Sequence, residues 1–191
     1  MSIEAFTVST GVVALGEMGD KTQLLALLLA ARFRAPRPIV AGIFVATLAN
    51  HLMAAALGAW LTKLIDPHWL RWGLGASFIA VAAWMLVPDS VGNEGEGRET
   101  RRLGVFGLTV VAFFLAEMGD KTQIATVILA ARYDALFTVT AGTTLGMMLA
   151  NVPAVLLGEK AVKVVPIEWV HRIAATVFAA IGIAVLAGVG A

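Results

Sequence analysis

Apolar residues fill this chain in long runs, and short polar segments interrupt them at regular intervals. A helix needs about 20 mostly apolar residues to cross the hydrocarbon core of a bilayer. Six stretches approach that length: 6–31, 38–62, 69–88, 103–131, 137–158 and 168–189. Pro36 and Pro38 separate the first two, and Asp66-Pro67 separates the second from the third. The pattern predicts an all-α membrane protein with six transmembrane helices. The long polar stretch DSVGNEGEGRETRR (89–102) combines glycine with mixed charge and reads as a flexible linker.

The two sides of that linker are related. At an offset of 100, EMGDKTQ (17–23) recurs as EMGDKTQ (117–123), Ala30-Ala31-Arg32 as Ala130-Ala131-Arg132, and Ala41-Gly42 as Ala141-Gly142. Gly58, Trp69 and Phe78 fall on Gly158, Trp169 and Phe178. Leu48-Ala49-Asn50 matches Leu149-Ala150-Asn151 after a one-residue slip, which leaves His51 without a counterpart. The expected organisation is repeat one at 1–88, the linker at 89–102 and repeat two at 103–191. Three spans per repeat is an odd number, so the second repeat enters the membrane from the opposite side, as in inverted-repeat carriers.

Loop charge then sets the orientation. Arg32, Arg34, Arg37, Arg98, Arg101, Arg102, Lys160, Lys163 and Arg172 follow spans one, three and five, nine in all, against three (Lys63, Arg71 and Arg132) on the other side. The positive-inside rule places the linker in the cytoplasm and both termini outside. Trp60, Trp69, Trp72 and Trp169 stand near span ends as interfacial anchors.

Composition agrees with this class and removes others. The chain is 59% hydrophobic and 14% charged, where soluble domains carry about 25% charged residues. Net charge is +1 and the basic residues form no stripe, so no nucleic-acid partner is expected. No cysteine is present, which removes disulfides and thiolate chemistry. His51, His68 and His171 are scattered and form no zinc motif. The opening MSIEAF has no basic n-region, so a cleaved signal peptide is not expected. Phosphate loops, nucleophile elbows and zinc-helix motifs are missing, and an enzyme is not expected.

The charged heptapeptides hold the chemistry. Glu17 and Glu117 fall near the middle of their spans, where a charge costs about 2.5–3.5 kcal/mol on insertion scales. On a continuous helix Glu17 and Asp20 share a face, and Lys21 lies one turn beyond Glu17. Inverted repeats bring the two copies together, so Glu17, Asp20, Glu117 and Asp120 converge in one pocket. Lys21 and Lys121 are expected to balance charge by pairing with the glutamate one turn before. Four carboxylates and two ammoniums leave −2, the complement of one divalent cation. Thr22 and Thr122 hydroxyls and Gln23 and Gln123 carbonyls are further candidate ligands, with Asn50 and Asn151 in second rank. Oxygen-only ligands suit calcium, manganese or magnesium. Gly19 and Gly119 permit close helix approach or a local break that frees carbonyls.

Other readings compete with this one. The motifs could be intramembrane ion pairs, although acids outnumber bases two to one. A proton channel, or a proton-coupled carrier of another solute, is the main alternative. Asp20 with Asp120 formally supply an aspartyl-protease dyad, but nothing provides a peptide-binding strand. Met147 and Met148 read as packing rather than soft ligands. Glu94, Glu96 and Glu99 read as a solvated loop.

The motif Glu-x-Gly-Asp-Lys-Thr, at 17–22 and again at 117–122 in a six-span duplicated chain, resembles the signature of the calcium/manganese–proton antiporter family. That family includes the eukaryotic Golgi manganese transporter and bacterial manganese exporters. The resemblance implies a secondary carrier that exchanges Mn²⁺, with Ca²⁺ as a second candidate, for protons by alternating access. It implies the motif acids as the ion-binding residues, with the metal as substrate and no resident cofactor. Without a long N-terminal extension, the expected location is a bacterial cytoplasmic membrane. Partners are then cations, protons and the bilayer, with homo-oligomerisation left open.

Overall fold

The computed structural model describes residues 2–86, 100–157 and 167–188. Most of the predicted linker, with Glu94, Glu96, Arg98 and Glu99, lies outside the described residues, as do Gly158, Lys160 and Lys163. The described residues form eight helices and no strand: α1 (Ile3–Glu17), α2 (Lys21–Phe33), α3 (Pro36–Leu64), α4 (Pro67–Met85), α5 (Thr100–Glu117), α6 (Lys121–Tyr133), α7 (Leu136–Leu157) and α8 (Ile167–Leu186). The all-α expectation holds. Helices α3, α4, α7 and α8 lie within three residues of the apolar stretches that predicted them. Thr100–Arg102 form a short helical piece that Gly104 (φ 64°, ψ 173°) kinks away from the rest of α5.

The stretches at 6–31 and 103–131 are a correction. Each was expected as one helix, and each is two, broken inside the heptapeptide. Gly19 (φ 84°) and Gly119 (φ 75°) take left-handed backbone, which glycine adopts without a Cβ clash. Met18, just before, is extended at φ −66°, ψ 116°, and ends α1. Of the two alternatives glycine allowed, the local break is the one present.

Helix α3 shows how the sequence pattern becomes packing. Pro36 sits at its start, where a missing N–H costs nothing. Its buried stripe runs Ile39, Gly42, Ile43, Ala46, Thr47, Asn50, His51, Ala54 and Gly58, at three- and four-residue spacing. Phe44, Leu48, Leu52 and Leu57 are exposed on its other faces. Polar groups inside and large apolar ones outside suit lipid as the surrounding solvent. Helices α3 and α7 are each long and apolar enough to cross a bilayer unaided. Trp60, Trp69, Trp72 and Trp169 are all exposed.

Helices of the two halves interleave. α1 packs along α7, α5 along α3, and α4 along α8. A Cβ at Gly42 would lie 2.7 Å from Thr109 Cβ and 3.0 Å from the Phe106 carbonyl; one at Gly142 would lie 3.0 Å from Ser9 Cβ and 2.7 Å from the Phe6 carbonyl. Those contacts match one another at the offset of 100. Phe78 and Phe178, another matching pair, are fully buried and touch each other with ring centroids 6.0 Å apart. Nearby, Gly75 approaches Leu186 and the Gly182 carbonyl closely enough to exclude a side chain. This interleaving brings the two helix breaks to face one another.

Candidate cation site between the two helix breaks

Each break is held by its own heptapeptide. Glu17 is the last residue of α1, and Asp20 is the N-cap of α2, yet the Asp20 carboxylate makes no capping bond. Glu17 and Asp20 therefore lie on either side of a break rather than one turn apart on a continuous helix, which corrects the expected shared face. The Gln23 side-chain carbonyl accepts the Gly19 N–H at 2.9 Å, and Gln123 does the same for Gly119 at 2.7 Å. Thr22 donates its hydroxyl to Glu17 Oε2 at 2.6 Å, and Thr122 to Glu117 Oε2 at 3.1 Å. Thr and Gln thus staple the break from its C-terminal side and orient the glutamate.

Carboxylates from both halves meet between the breaks. Oxygens of Glu17, Asp20 and Asp120 lie within 4.8 Å of one another, and all three residues are buried. Glu117 is equally buried but does not join that set. The lysines do not pair with the glutamate of their own copy, contrary to expectation. They cross over: Lys21 Nζ is 3.2 Å from Asp120 Oδ1, and Lys121 Nζ is 3.8 Å from Asp20 Oδ1. Pairing across the halves puts each ammonium beside the aspartate of the other copy.

After these bonds, one oxygen remains on several acids. Among the described residues, Glu17 Oε1, Glu117 Oε1 and Asp120 Oδ2 are buried with no hydrogen-bond partner. An unsatisfied buried oxygen costs about 1–3 kcal/mol, more when charged, so such groups call for an explanation. Two ligand classes satisfy them, a hard cation or a proton. Every donor available here is oxygen, which fits calcium or manganese better than softer metals.

Flanking helices α3 and α7 close the site. Gln123 Nε2 donates to Asn50 Oδ1, and Asn50 Nδ2 donates to the Phe114 carbonyl at 3.0 Å. Gln23 Nε2 instead donates to the backbone carbonyl of Ala150 at 2.9 Å. The buried stripes of α3 and α7 keep the offset of 100 at Gly42/Gly142, Ala46/Gly146, Asn50/Ala150 and Ala54/Ala154, so the structural register has no slip, and the partner of Asn151 is His51. That corrects the sequence alignment, which had paired the two asparagines. Asn151 turns away from the glutamine and donates to the Met147 carbonyl at 3.1 Å and to its sulfur at 2.9 Å. Met147 is fully buried and serves that contact, while Met148 is half-buried. Pro153 lies inside α7 and supplies no N–H to the Leu149 carbonyl, which loosens the turn that offers Ala150. Sequence reasoning missed the Ala150 carbonyl because a backbone group leaves no mark in the residue types. The unbroken offset at Gly42 and Gly142 was the available clue.

The profile of the family described as divalent cation/proton antiporter GDT1 matches residues 5–93 and 105–190. A Vibrio cholerae protein named "Putative manganese exporter" is 51% identical over 179 residues, covering 93% of this chain and 87% of that protein. A GDT1-like protein of Synechocystis is 28% identical over 176 residues, covering 82% of this chain and 84% of its own length. GDT1-like protein 4 of rice (Oryza sativa subsp. indica) is also 28% identical, over 185 residues, covering 82% of this chain and 63% of that protein. No solved structure matches the chain significantly.

Proposed function

The chain belongs to the GDT1 family of divalent cation/proton antiporters, and from that premise we propose that it exports Mn²⁺, with Ca²⁺ as a second substrate, in exchange for protons. A carrier of this family is not an enzyme. The observation that carries the substrate assignment is the meeting of Glu17, Asp20 and Asp120 oxygens within 4.8 Å across two broken helices. The proposed ligands are those three acids and Glu117, with the Thr22 and Thr122 hydroxyls beside them. Gln23 and Gln123 act by positioning, because their carbonyls already hold Gly19 and Gly119. Asn50 supports Gln123, and Asn151 is held within α7.

The proposed topology has six spans, counting α1–α2 and α5–α6 as one broken span each. Two inverted three-helix repeats, 1–88 and 103–191, flank a cytoplasmic linker at 89–102, with both termini outside. The exchange of packing partners between halves supports this division, and so does the family match in two parts. The nine-to-three bias of Lys and Arg supports the orientation. The proposed location is the cytoplasmic membrane.

Competition drives the mechanism. A cation seated among the acids takes oxygens that Lys21 and Lys121 hold in the crossed bridges. Losing those bridges uncouples the two breaks, and the halves rock to open the opposite face. Protons arriving there occupy the carboxylates, release the cation and restore the starting arrangement. Two protons against one divalent ion would match the formal −2 of four acids and two lysines.

The decisive experiment places the purified chain in liposomes under an imposed pH gradient, with Mn²⁺, Ca²⁺ and Mg²⁺ supplied side by side. Mn²⁺ is expected to move against proton flow, Ca²⁺ more weakly, and Mg²⁺ least because it dehydrates reluctantly. Proton flux of equal size with no divalent ion present overturns the exchange and favours a proton pathway.

A further inference from the structure

Away from the carboxylates, a groove of ≈ 640 Å³ opens between α3 and α7 at the end where α3 begins. Its volume is within the range of about 300–1,000 Å³ typical of small-molecule sites. One wall is Val40 and Phe44 of α3, and the other is Met148, Val152 and Leu156 of α7. The α7 residues recur every fourth position and form one stripe. Ala41 lies between the α3 walls and keeps the groove open by its small size. From Arg37 to Phe44 the helix rises about 10 Å, most of one leaflet of a core about 30 Å thick.

The lining is apolar except at one end. Arg37, exposed and in the first turn of α3, stands at the mouth. Arg32 in the last turn of α2 and Arg34 at its C-cap are also exposed. Ala35 at the N-cap brings no side-chain acceptor, so the positive end of the α3 dipole adds to this field. At the matching position on α7 stands Phe137, 81% exposed, which carries no charge. A long apolar slot capped by a cation on one membrane face has a specific complement.

We propose that this groove binds one acyl chain of an anionic phospholipid, with the lipid phosphate paired to Arg37. Guanidinium groups bind phosphate through paired N–H donors, and basic pockets between membrane helices select anionic headgroups. The site is separate from cation transport and requires none of its residues.

Native mass spectrometry of the full chain in detergent tests the assignment, using phosphatidylglycerol and phosphatidylcholine with identical acyl chains. Phosphatidylglycerol is expected to be retained over phosphatidylcholine by about fivefold, the contribution of one basic side chain near an anionic surface. Arg37→Gln should bring the two lipids level. Ala41→Trp, which fills the slot at an exposed position, should lower retention of both; Val40→Phe serves if that variant does not fold. Equal retention of both lipids by the wild type overturns the proposal, as does a preference that survives Arg37→Gln. Undiminished retention in both slot-filling variants removes the acyl-chain seat and overturns it as well. A dimer mass that Ala41→Trp abolishes, regardless of lipid, would assign the groove to a second copy instead.

Discussion

The two copies of EMGDKTQ are the same in sequence and differ in surroundings. Each ends a helix on glutamate, turns through a left-handed glycine, and starts a new helix after aspartate. Each uses Thr and Gln in the same bonds. The differences lie in what the rest of the fold brings. The Lys21 side chain is 32% exposed and Lys121 only 3%. The first copy contributes two acids to the tight carboxylate set and the second contributes one. Gln123 meets the Asn50 side chain, whereas Gln23 meets a backbone carbonyl. Seven identical residues fix the break and the bonds around it, and the flanking helices decide the surroundings of each copy.

The strongest way to test the equivalence is to neutralise one acid in each copy. Asp20→Asn and Asp120→Asn should each lower Mn²⁺-dependent proton flux in liposomes by about 100-fold or more, a barrier rise of roughly 2.7 kcal/mol. Glu17→Gln should do the same, since Glu17 belongs to the same carboxylate set. Mn²⁺ at 100 times its dissociation constant should stabilise the wild type by about 2.7 kcal/mol, read as a rise in Tm, and should leave Asp20→Asn unmoved. Wild-type flux in the Asp120 variant would mean that the first copy works alone.

The lysines separate the copies by burial. Removing one partner of a buried pair costs about 3–5 kcal/mol, because the other charge is left in a dry site. Both substitutions leave a buried aspartate behind, but the 32% exposure of the Lys21 side chain lets water reach the Lys21–Asp120 bridge and screen the charge left there. Lys121→Ala should therefore lower Tm more than Lys21→Ala, although both remove a crossed bridge. Equal losses, measured by thermal denaturation in detergent, would show that exposure of Lys21 has no energetic meaning.

Gly19→Ala and Gly119→Ala probe what the copies share. Both sites are left-handed, and a Cβ at Gly119 meets no atom within 4 Å. At Gly119 the cost is then conformational alone, about 1–2 kcal/mol, and the shared left-handed backbone predicts a like cost at Gly19. A much larger loss at one site would reveal a neighbour that crowds that break in another state of the carrier.

Much of this was readable in the sequence for physical reasons. Apolar runs located α3, α4, α7 and α8, because a membrane helix must be apolar along its length whatever its neighbours. The duplicated heptapeptide located the acids, because charge in such a setting demands a reason. The breaks at Gly19 and Gly119 were only one of two options, since the same glycine also permits tight helix packing. Crossed pairing of Lys21 and Lys121 depends on how the halves interleave, and spacing along one helix pointed to the nearer glutamate. The asparagine register misled through identity: Leu-Ala-Asn invited a slip that the backbone does not make.

That register supplies the finest contrast between the copies. Asn50 holds a Gln123 amide hydrogen on its carbonyl and donates to the Phe114 carbonyl, so it ties α3 to both α5 and α6. Asn151 donates only to Met147 one turn earlier on its own helix. Asn50→Ala removes two bonds that cross between helices, to Gln123 and to the Phe114 carbonyl, together about 2 kcal/mol at about 1 kcal/mol each. Asn151→Ala removes contacts within α7 and should cost no more than about 1 kcal/mol, the net worth of one ordinary hydrogen bond. The expected gap is small, and its sign carries the argument. A larger loss for Asn151→Ala, in Tm or in Mn²⁺ flux, would place the Asn151 side chain rather than the Ala150 carbonyl opposite Gln23 in the working protein and restore the slipped register.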